Sequence, residues 1–295
     1  MTVYRWANPP ILKFGMAIID DLIWSPLMVA DVDDAVCLNE EAGWNQIAAD
    51  WLFMLDHGEG TGVRSGGLVA TSILMPQGDR FAWIAMILVT SAWQRRGLAG
   101  RLMRRCMVRA HEMDLVAGLD ATEAGRPIYL PLGFKDIYPL SRWQADVPGG
   151  HMHEGVRFME QDDLDAVATF DQSVAGADRW ALLKHLRDRC PKRALVLEQN
   201  GELKGFVLAR NGRLAFQIGP LSARSQDDAL TLLDSVLSQG GPAYLDAADH
   251  QRRLAMWLTK AGFSRQRGYM RMLLKQDDPV DVPAQVFLIA GPELG

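Results

Sequence analysis

The stretch FAWIAMILV (81–89), continued by TSAW (90–93) and QRRGLAGRLMRRCM (94–107), decides the fold. Its first part is a short apolar run bounded by Gly78 and by polar residues, which suits a buried strand better than a helix. Beyond Gly97 the apolar positions fall at Leu98, Leu102 and Cys106, with Met103 and Met107 beside them, which is helical spacing. The pattern predicts a strand, a turn, and a helix whose first turn carries Gly97 and Gly100. Glycine lets a ligand approach the backbone closely. The first N–H groups of a helix lack internal partners, and the dipole there favours an anion. Strand, glycine turn and helix start together make a phosphate site on physical grounds alone.

Working outward, Leu22 to Trp24 reads as a strand broken at Pro26, and a helix begins near Asp31, where Asp31, Asp33 and Asp34 suit a helix start. Gly43 ends that helix, and AGWNQIAADWLFML (42–55) predicts a second one with Trp44, Ile47, Trp51 and Leu55 at helical spacing. GLVATSILM (67–75) is a strand joined by PQGD (76–79) to the central one. DLVAGLDAT (114–122) is a further buried strand, GRPIYLPLGF (125–134) a short helix, and Lys135 to Trp143 a last strand. Pro9-Pro10 disfavours a regular element near the start of the chain. The order β, α, α, β, β, α, β, α, β implies an α/β (α+β) domain with a mixed sheet and helices on both faces.

The string QRRGLA, Gln94 to Ala99, with Val89 five residues before it, resembles the Q/R-x-x-G-x-G/A motif of the GNAT N-acetyltransferase superfamily. DATEAGRPIYLPLGF (120–134) is similar to that superfamily's N-x-x-A-x-x-x-Y-x-x-x-G-F pattern, with Tyr129, Gly133 and Phe134 in register. Thr122 stands where the pattern has Asn, and Gly125 where it has Ala. The resemblance implies a sheet of mostly antiparallel strands and acetyl-CoA as cosubstrate, with no metal. It implies that the backbone of Gln94, Arg95, Arg96, Gly97, Leu98, Ala99 and Gly100 holds the pyrophosphate, and that Ile87, Leu88 and Val89 pair with the pantetheine arm as an added strand does. Arg95, Arg96, Arg101, Arg104 and Arg105 add positive charge around that site. Tyr129 is the candidate general acid, since a phenol of pKa about 10 is a sensible proton source for a thiolate of slightly lower pKa. The central strand has no carboxylate, so the general base is open among Glu40, Asp50, His57, Glu123 and water. Trp44 and Asn45 are candidates to line the acceptor pocket, whereas Trp51 suits the core.

The second half reads as a worn copy of the first. Helices at 162–171 and 179–190 precede a hairpin turning at Asn200-Gly201, a strand RLAFQIGPL (213–221), a helix at 225–238, a strand at 242–249 and a helix at 252–263. LDAT…LGF in the first half is matched by LDAA…AGF in the second, which suggests two homologous domains. The copies differ where chemistry would sit. Asp227 and Asp228 replace the glycine turn and would repel a phosphate, and Leu258 takes the place of Tyr129. This resembles tandem-GNAT proteins with an intact N-terminal and a degenerate C-terminal domain. The expected division is 1–146, a linker at 147–155, and 156–295. The second domain is expected to border the acceptor site. Val286 to Ala290 is strand-like, without an assigned partner.

With 295 residues, 48% hydrophobic and 23% charged, the chain is ordinary for a soluble globular protein of two domains. Its net charge of −5 argues against nucleic acid. Three scattered cysteines, Cys37, Cys106 and Cys190, read as reduced thiols. No apolar run approaches the ~18 residues of a membrane span, and the start lacks a signal-peptide pattern, so the cytoplasm is the expected location. His151, His153 and Glu154 have no distant partner and make a poor zinc pattern. The leading function is acetyl-CoA-dependent N-acetylation of a small amine or amino acid. The competing reading from another class is a non-catalytic acyl-CoA-binding or ligand-sensing protein. A dinucleotide-binding oxidoreductase is disfavoured, because G-L-A-G lacks the G-x-G-x-x-G form and occurs mid-chain.

Overall fold

A computed structural model describes residues 22–295 of the chain. Strands β1 (Ile23–Pro26), β2 (Glu59–Ser65), β3 (Gly67–Gln77), β4 (Phe81–Val89), β5 (Val116–Thr122) and β6 (Phe134–Val147) belong to the first half, with helices α1 (Val32–Glu41), α2 (Ala48–Asp56), α3 (Leu98–Glu112) and α4 (Arg126–Tyr129). The second half holds β7 (Val156–Phe158), α5 (Leu164–Ala175), α6 (Trp180–Arg189), β8 (Leu195–Gln199), β9 (Glu202–Arg210), β10 (Phe216–Ala223), α7 (Gln226–Leu237), β11 (Gly241–Ala248), α8 (Arg252–Lys260), β12 (Ser264–Leu274) and β13 (Val286–Leu288).

Three expectations are corrected. Strand β2 was not foreseen, because its run EGTGVRS is glycine-rich and polar; it is held as a hairpin partner of β3 and by β1 on its other side. Residues 44–47 are not helical. The second helix starts only at Ala48, with Ile47 extended and its N–H donating to Asp50 Oδ2 at 2.8 Å. Strands β7, only three residues long, and β12, rich in polar residues, are likewise absent from the sequence reading.

The two halves do not keep separate sheets. Among the described residues all strands form one sheet in the order β1-β2-β3-β4-β5-β12-β6-β11-β13-β10-β9-β8-β7. Of these pairings only β4–β5 and β10–β11 are parallel; the others are antiparallel. Strand β12 of the second half lies between β5 and β6 of the first, and β6 lies between β12 and β11, so each half completes its sheet with the other's strand.

Two buried ion pairs fix this exchange, and their aspartates occupy equivalent places in the LDAT and LDAA repeats. Asp120 of LDAT on β5 receives Arg271 Nε and Nη2 from β12, both at 3.0 Å. Asp246 of LDAA on β11 receives Arg142 Nε and Nη2 from β6, at 2.8 and 2.7 Å. In each case the partners stand directly opposite in register. A one-residue slip would turn every one of these side chains to the wrong face.

One apolar core runs beneath both halves. It joins Trp51, Met54 and Trp83 of the first to Phe170, Leu183 and Phe206 of the second. Trp51 is fully buried and donates its Nε1–H to Asn39 Oδ1 at 2.7 Å. Cys106, under the sheet on the α3 side, has its thiol pushed up to about 11 by burial and serves as inert packing.

At the junction His185 of α6 stacks on Phe53 of α2, ring centroids 4.4 Å apart, with its Nε2 buried and unpaired. Burial, helped by the charge of Arg189, lowers its pKa from 6.5 to about 4. The unfolded chain therefore binds a proton below pH 6.5 that the folded chain refuses until about pH 4. Stability is untouched above that window and falls as pH drops through it. At pH 5 the loss should be on the order of 1–2 kcal/mol. Urea unfolding at pH 7 and pH 5 checks this, and His185→Gln should flatten the difference.

Candidate functional site

Strands β4 and β5 pair only from Phe81–Val116 to Trp83–Gly118 and then diverge. The divergence coincides with a bulge in β4. Met86 has φ +51°, the β3–β4 register slips between Thr71 and Ile73, and Thr71 Oγ1 donates to the Met86 carbonyl at 2.9 Å. A bulge bends a strand and re-aims its edge, so the outer part of β4, Ile87 to Val89, leaves β5 behind.

At the end of β4 the chain makes a short 3-10 turn, Ser91–Trp93, and enters α3. Two contacts anchor this loop: Gln94 Nε2 donates to the Val89 carbonyl at 3.1 Å, and the Ser91 N–H donates to Glu41 Oε1 at 2.7 Å. Arg95 and Gly97 both adopt left-handed backbone, φ +59° and +80°. A Cβ placed on Gly97 would meet nothing within 4 Å, so conformation, not crowding, requires glycine, and the space above it is open. Helix α3 has no side-chain cap, and the N–H groups of Leu98, Ala99 and Gly100 find no acceptor among the described residues. Leu98 and Leu102 fix the helix against Val63, Val69 and Ala70. Around the loop, the guanidiniums of Arg96 and Arg101 lie 4.7 Å over Trp93 and Trp24. Arg104 donates to the Gly100 carbonyl.

The gap between β4 and β5 opens into a cleft of about 640 Å³, counting its open mouth. Ile84 to Ile87, Leu119, Thr122 and Met103 form its walls, with Tyr129 from α4. Tyr129 is 9% exposed, and burial, with the Cys106 thiol adding to it, pushes its phenol up to about 12. Gly125 lies against that ring: a Cβ there would stand 2.9 Å from the ring edge, which accounts for glycine where the motif has alanine. Thr122 Oγ1 accepts from the Gly125 N–H at 3.1 Å, so the residue in the Asn position holds the turn that carries α4.

Trp44 lines this cleft. Asn45 does not: it is buried and ties the halves together, its amide accepting from the Leu214 and Ala215 N–H groups and donating to the Ala215 carbonyl. None of the four side chains considered as a base lines the cleft either. Asp50 is bound by Arg189 and Arg210, His57 stacks on Phe53, and Glu40 and Glu123 are exposed. The structure brings in residues that the pattern did not single out: Gln46, Arg267, Tyr269, Pro292 and Glu293. Glu293 is the sole carboxylate of the stretch VFLIAGPELG (286–295), a charge isolated among apolar residues and therefore the signal that could have marked it.

The matching gap of the second half is closed. Strands β10 and β11 pair from Phe216–Ala243 to Ile218–Leu245 and then diverge in the same way. Between them lies β13, bonded to both, Leu221 and Ala247 each opposite Leu288. The strand-like piece at 286–290 thus belongs to the second half and fills its opening. Helix α7 is capped as well: Ser225 Oγ accepts from the Asp228 N–H, with Asp227 and Asp228 in the first turn. Leu258 stands fully buried where the first half has Tyr129.

A splayed strand pair, a bulge and an uncapped glycine turn in one half, repeated in plugged form in the other, define a two-domain acyltransferase of the GNAT type. The comparisons agree. The Acetyltransferase (GNAT) family model matches residues 25–134, and an Acetyltransferase (GNAT) domain model matches residues 167–288. The chain belongs to the GNAT acetyltransferase superfamily as a tandem-GNAT protein. It is 26% identical over 258 residues to YitH of Bacillus subtilis (strain 168), an uncharacterized N-acetyltransferase, covering 85% of this chain and 90% of that one. It is 26% identical over 240 residues to the holothin acyltransferase of Pseudoalteromonas sp. (strain SANK 73390), covering 77% and 78%. In fold it resembles a putative acetyltransferase from Pyrococcus horikoshii, TM-score 0.80 at 20% identity over 96% of this chain and 99% of that one. A tandem GNAT protein from the clavulanic acid biosynthesis pathway gives TM-score 0.60 at 18% identity, covering 85% and 98%. Among the described residues no helix is long and apolar enough to cross a membrane.

Proposed function

We propose that the first half is an acetyl-CoA-dependent N-acetyltransferase acting on a small amine in a ternary complex, and that the second half binds no coenzyme A. The asymmetry of the two openings carries this reading: one is lined and open, the other is filled by β13. The division 1–146, 147–155 and 156–295 goes with it as the sequence boundary of the two units.

In this reading the N–H groups of Arg95 to Gly100 hold the pyrophosphate, with Gln94 bracing the loop. The freed edge of β4, Ile87 to Val89, pairs with the pantetheine arm. A backbone N–H of that edge would stabilise the developing oxyanion, an effect worth roughly 3 kcal/mol in other acyl transfers. Bound acetyl-CoA supplies a thioester carbonyl between the diverging strands. A neutral amine forms the C–N bond, the C–S bond breaks with its electron pair on sulfur, and the nitrogen's proton reaches that sulfur by way of Tyr129 and solvent. With a phenol near 12, Tyr129 stays protonated throughout the working pH range, so it gives no alkaline limb to the rate profile.

Tyr129→Phe is expected to lower kcat by about 10²–10³ with the Kd for acetyl-CoA unchanged. Thiol release with a panel of amines measures the first, and calorimetry the second. Wild-type turnover in this variant would remove the assignment. Binding of acetyl-CoA without thiol release for any amine would favour a sensing role.

A further inference from the structure

Four residues that line the cleft come from separate parts of the chain: Trp44 and Gln46 from the α1–α2 connector, Arg267 from β12, and Glu293 from the segment after β13. The charges in and behind this wall can be followed one by one. Asp120 is matched by Arg271, Arg142 by Asp246, and Glu293 Oε1 by Arg210, which also holds Asp50 together with Arg189. Arg267 alone is left over. It is half-buried and takes no hydrogen bond or ion pair among the described residues. Arg267 is thus the lining charge without a direct partner, while Asp281, which shares Arg271 with Asp120, balances it in the wider set of buried charges.

Two acceptor oxygens in the same wall are also unsatisfied. Glu293 is 3% exposed and its Oε2 has no partner; Gln46 is 5% exposed and its Oε1 has none. Leaving such atoms buried and unpaired is unfavourable, so both are suited to accept N–H groups from a ligand. Both are also rigidly placed. The Gln46 carbonyl accepts from Asn39, and the segment carrying Glu293 is held by Trp83 Nε1 to the Pro292 carbonyl (2.9 Å) and Gln77 Nε2 to the Leu294 carbonyl (2.7 Å).

We infer that the acceptor is an aminocarboxylate: Arg267 takes its carboxylate, Glu293 Oε2 and Gln46 Oε1 accept N–H groups of its amine, and Trp44 covers its carbon skeleton. This rests on the acetyltransferase reading above. The guanidinium fork matches a carboxylate in geometry as well as charge.

The experiment compares amino acids with their methyl esters and with the amines lacking the carboxyl group, following thiol release from acetyl-CoA. For the preferred acceptor the free acid should exceed its ester by about 100-fold in kcat/KM. Arg267→Gln should bring that ratio to within a few-fold of one, with the Kd for acetyl-CoA unchanged. Glu293→Gln, which keeps the shape and the oxygen facing Arg210, should raise the acceptor KM about tenfold or more. Calorimetry with acetyl-CoA separates the two levels: no binding by the wild-type chain sinks the acetyltransferase reading itself. If acetyl-CoA binds but esters or simple amines serve as well as free acids, or no compound of the panel is acetylated, the acceptor assignment falls. Loss of acetyl-CoA affinity in Arg267→Gln would assign that guanidinium to the cosubstrate and overturn it too.

Discussion

Replacing Arg271 with methionine is expected to destabilise the protein by about 3–5 kcal/mol, the range for removing one partner of a buried ion pair. Arg271 is 5% exposed and serves more than one anion. It binds Asp120 through two nitrogens and Asp281 through the third at 2.8 Å, and it donates to Tyr138 Oη at 3.0 Å. Its loss strands Asp120, whose carboxyl burial already pushes upward against the pull of Arg271. Chemical denaturation measures the effect. Adding Asp120→Leu should recover part of it, because an isolated buried carboxylate costs more than an apolar side chain of similar size. Arg142→Met should cost a comparable amount, its partner Asp246 keeping only Gln217 Nε2 at 2.9 Å. A loss below about 1 kcal/mol for Arg271→Met, the level of a surface pair, would mean that β12 does not lie against β5.

This cross-over marks the limit of what the residues alone convey. The elements around FAWIAMILV and QRRGLAG follow from period and glycine placement, and they stand where periodicity puts them: a strand over Phe81–Val89 and a helix from Leu98. The repeat LDAT/LDAA was visible too. What it could not say is that each aspartate meets an arginine of the opposite half, because pairing between strands over 100 residues apart leaves no local period. Strand β12, SRQRGYMRMLL, hides for a related reason. Its arginines look like a solvated face, and only a buried acid opposite makes Arg271 a core residue. Glu293 escaped in the same way. The closing of the second opening was half readable: the acidic turn at Asp227 and Asp228 argued against phosphate, but the plug is β13, a segment that pattern alone could not attach to either half.

The second half therefore supplies a natural experiment that can be copied into the first. Leu98, Ala99 and Gly100 open α3 as Gln226, Asp227 and Asp228 open α7. Ala99→Asp would reproduce the carboxylate of the closed copy at the second helical position. A carboxylate in the first turn suits the helix dipole and should leave stability unchanged or raise it by about 0.3–1 kcal/mol. It would also stand among the N–H groups proposed to grip the pyrophosphate, satisfying some of them and repelling the ligand. Acetyl-CoA affinity should fall by at least 100-fold, about 2.7 kcal/mol, with the thermal midpoint of the free protein no lower than wild type. Calorimetry and thermal unfolding read the two effects apart. Stability and binding lost together would indicate a damaged helix. Binding retained at wild-type strength would show that the diphosphate is not held at this turn, and the assignment of the open half as the acetyl-CoA site would fail with it.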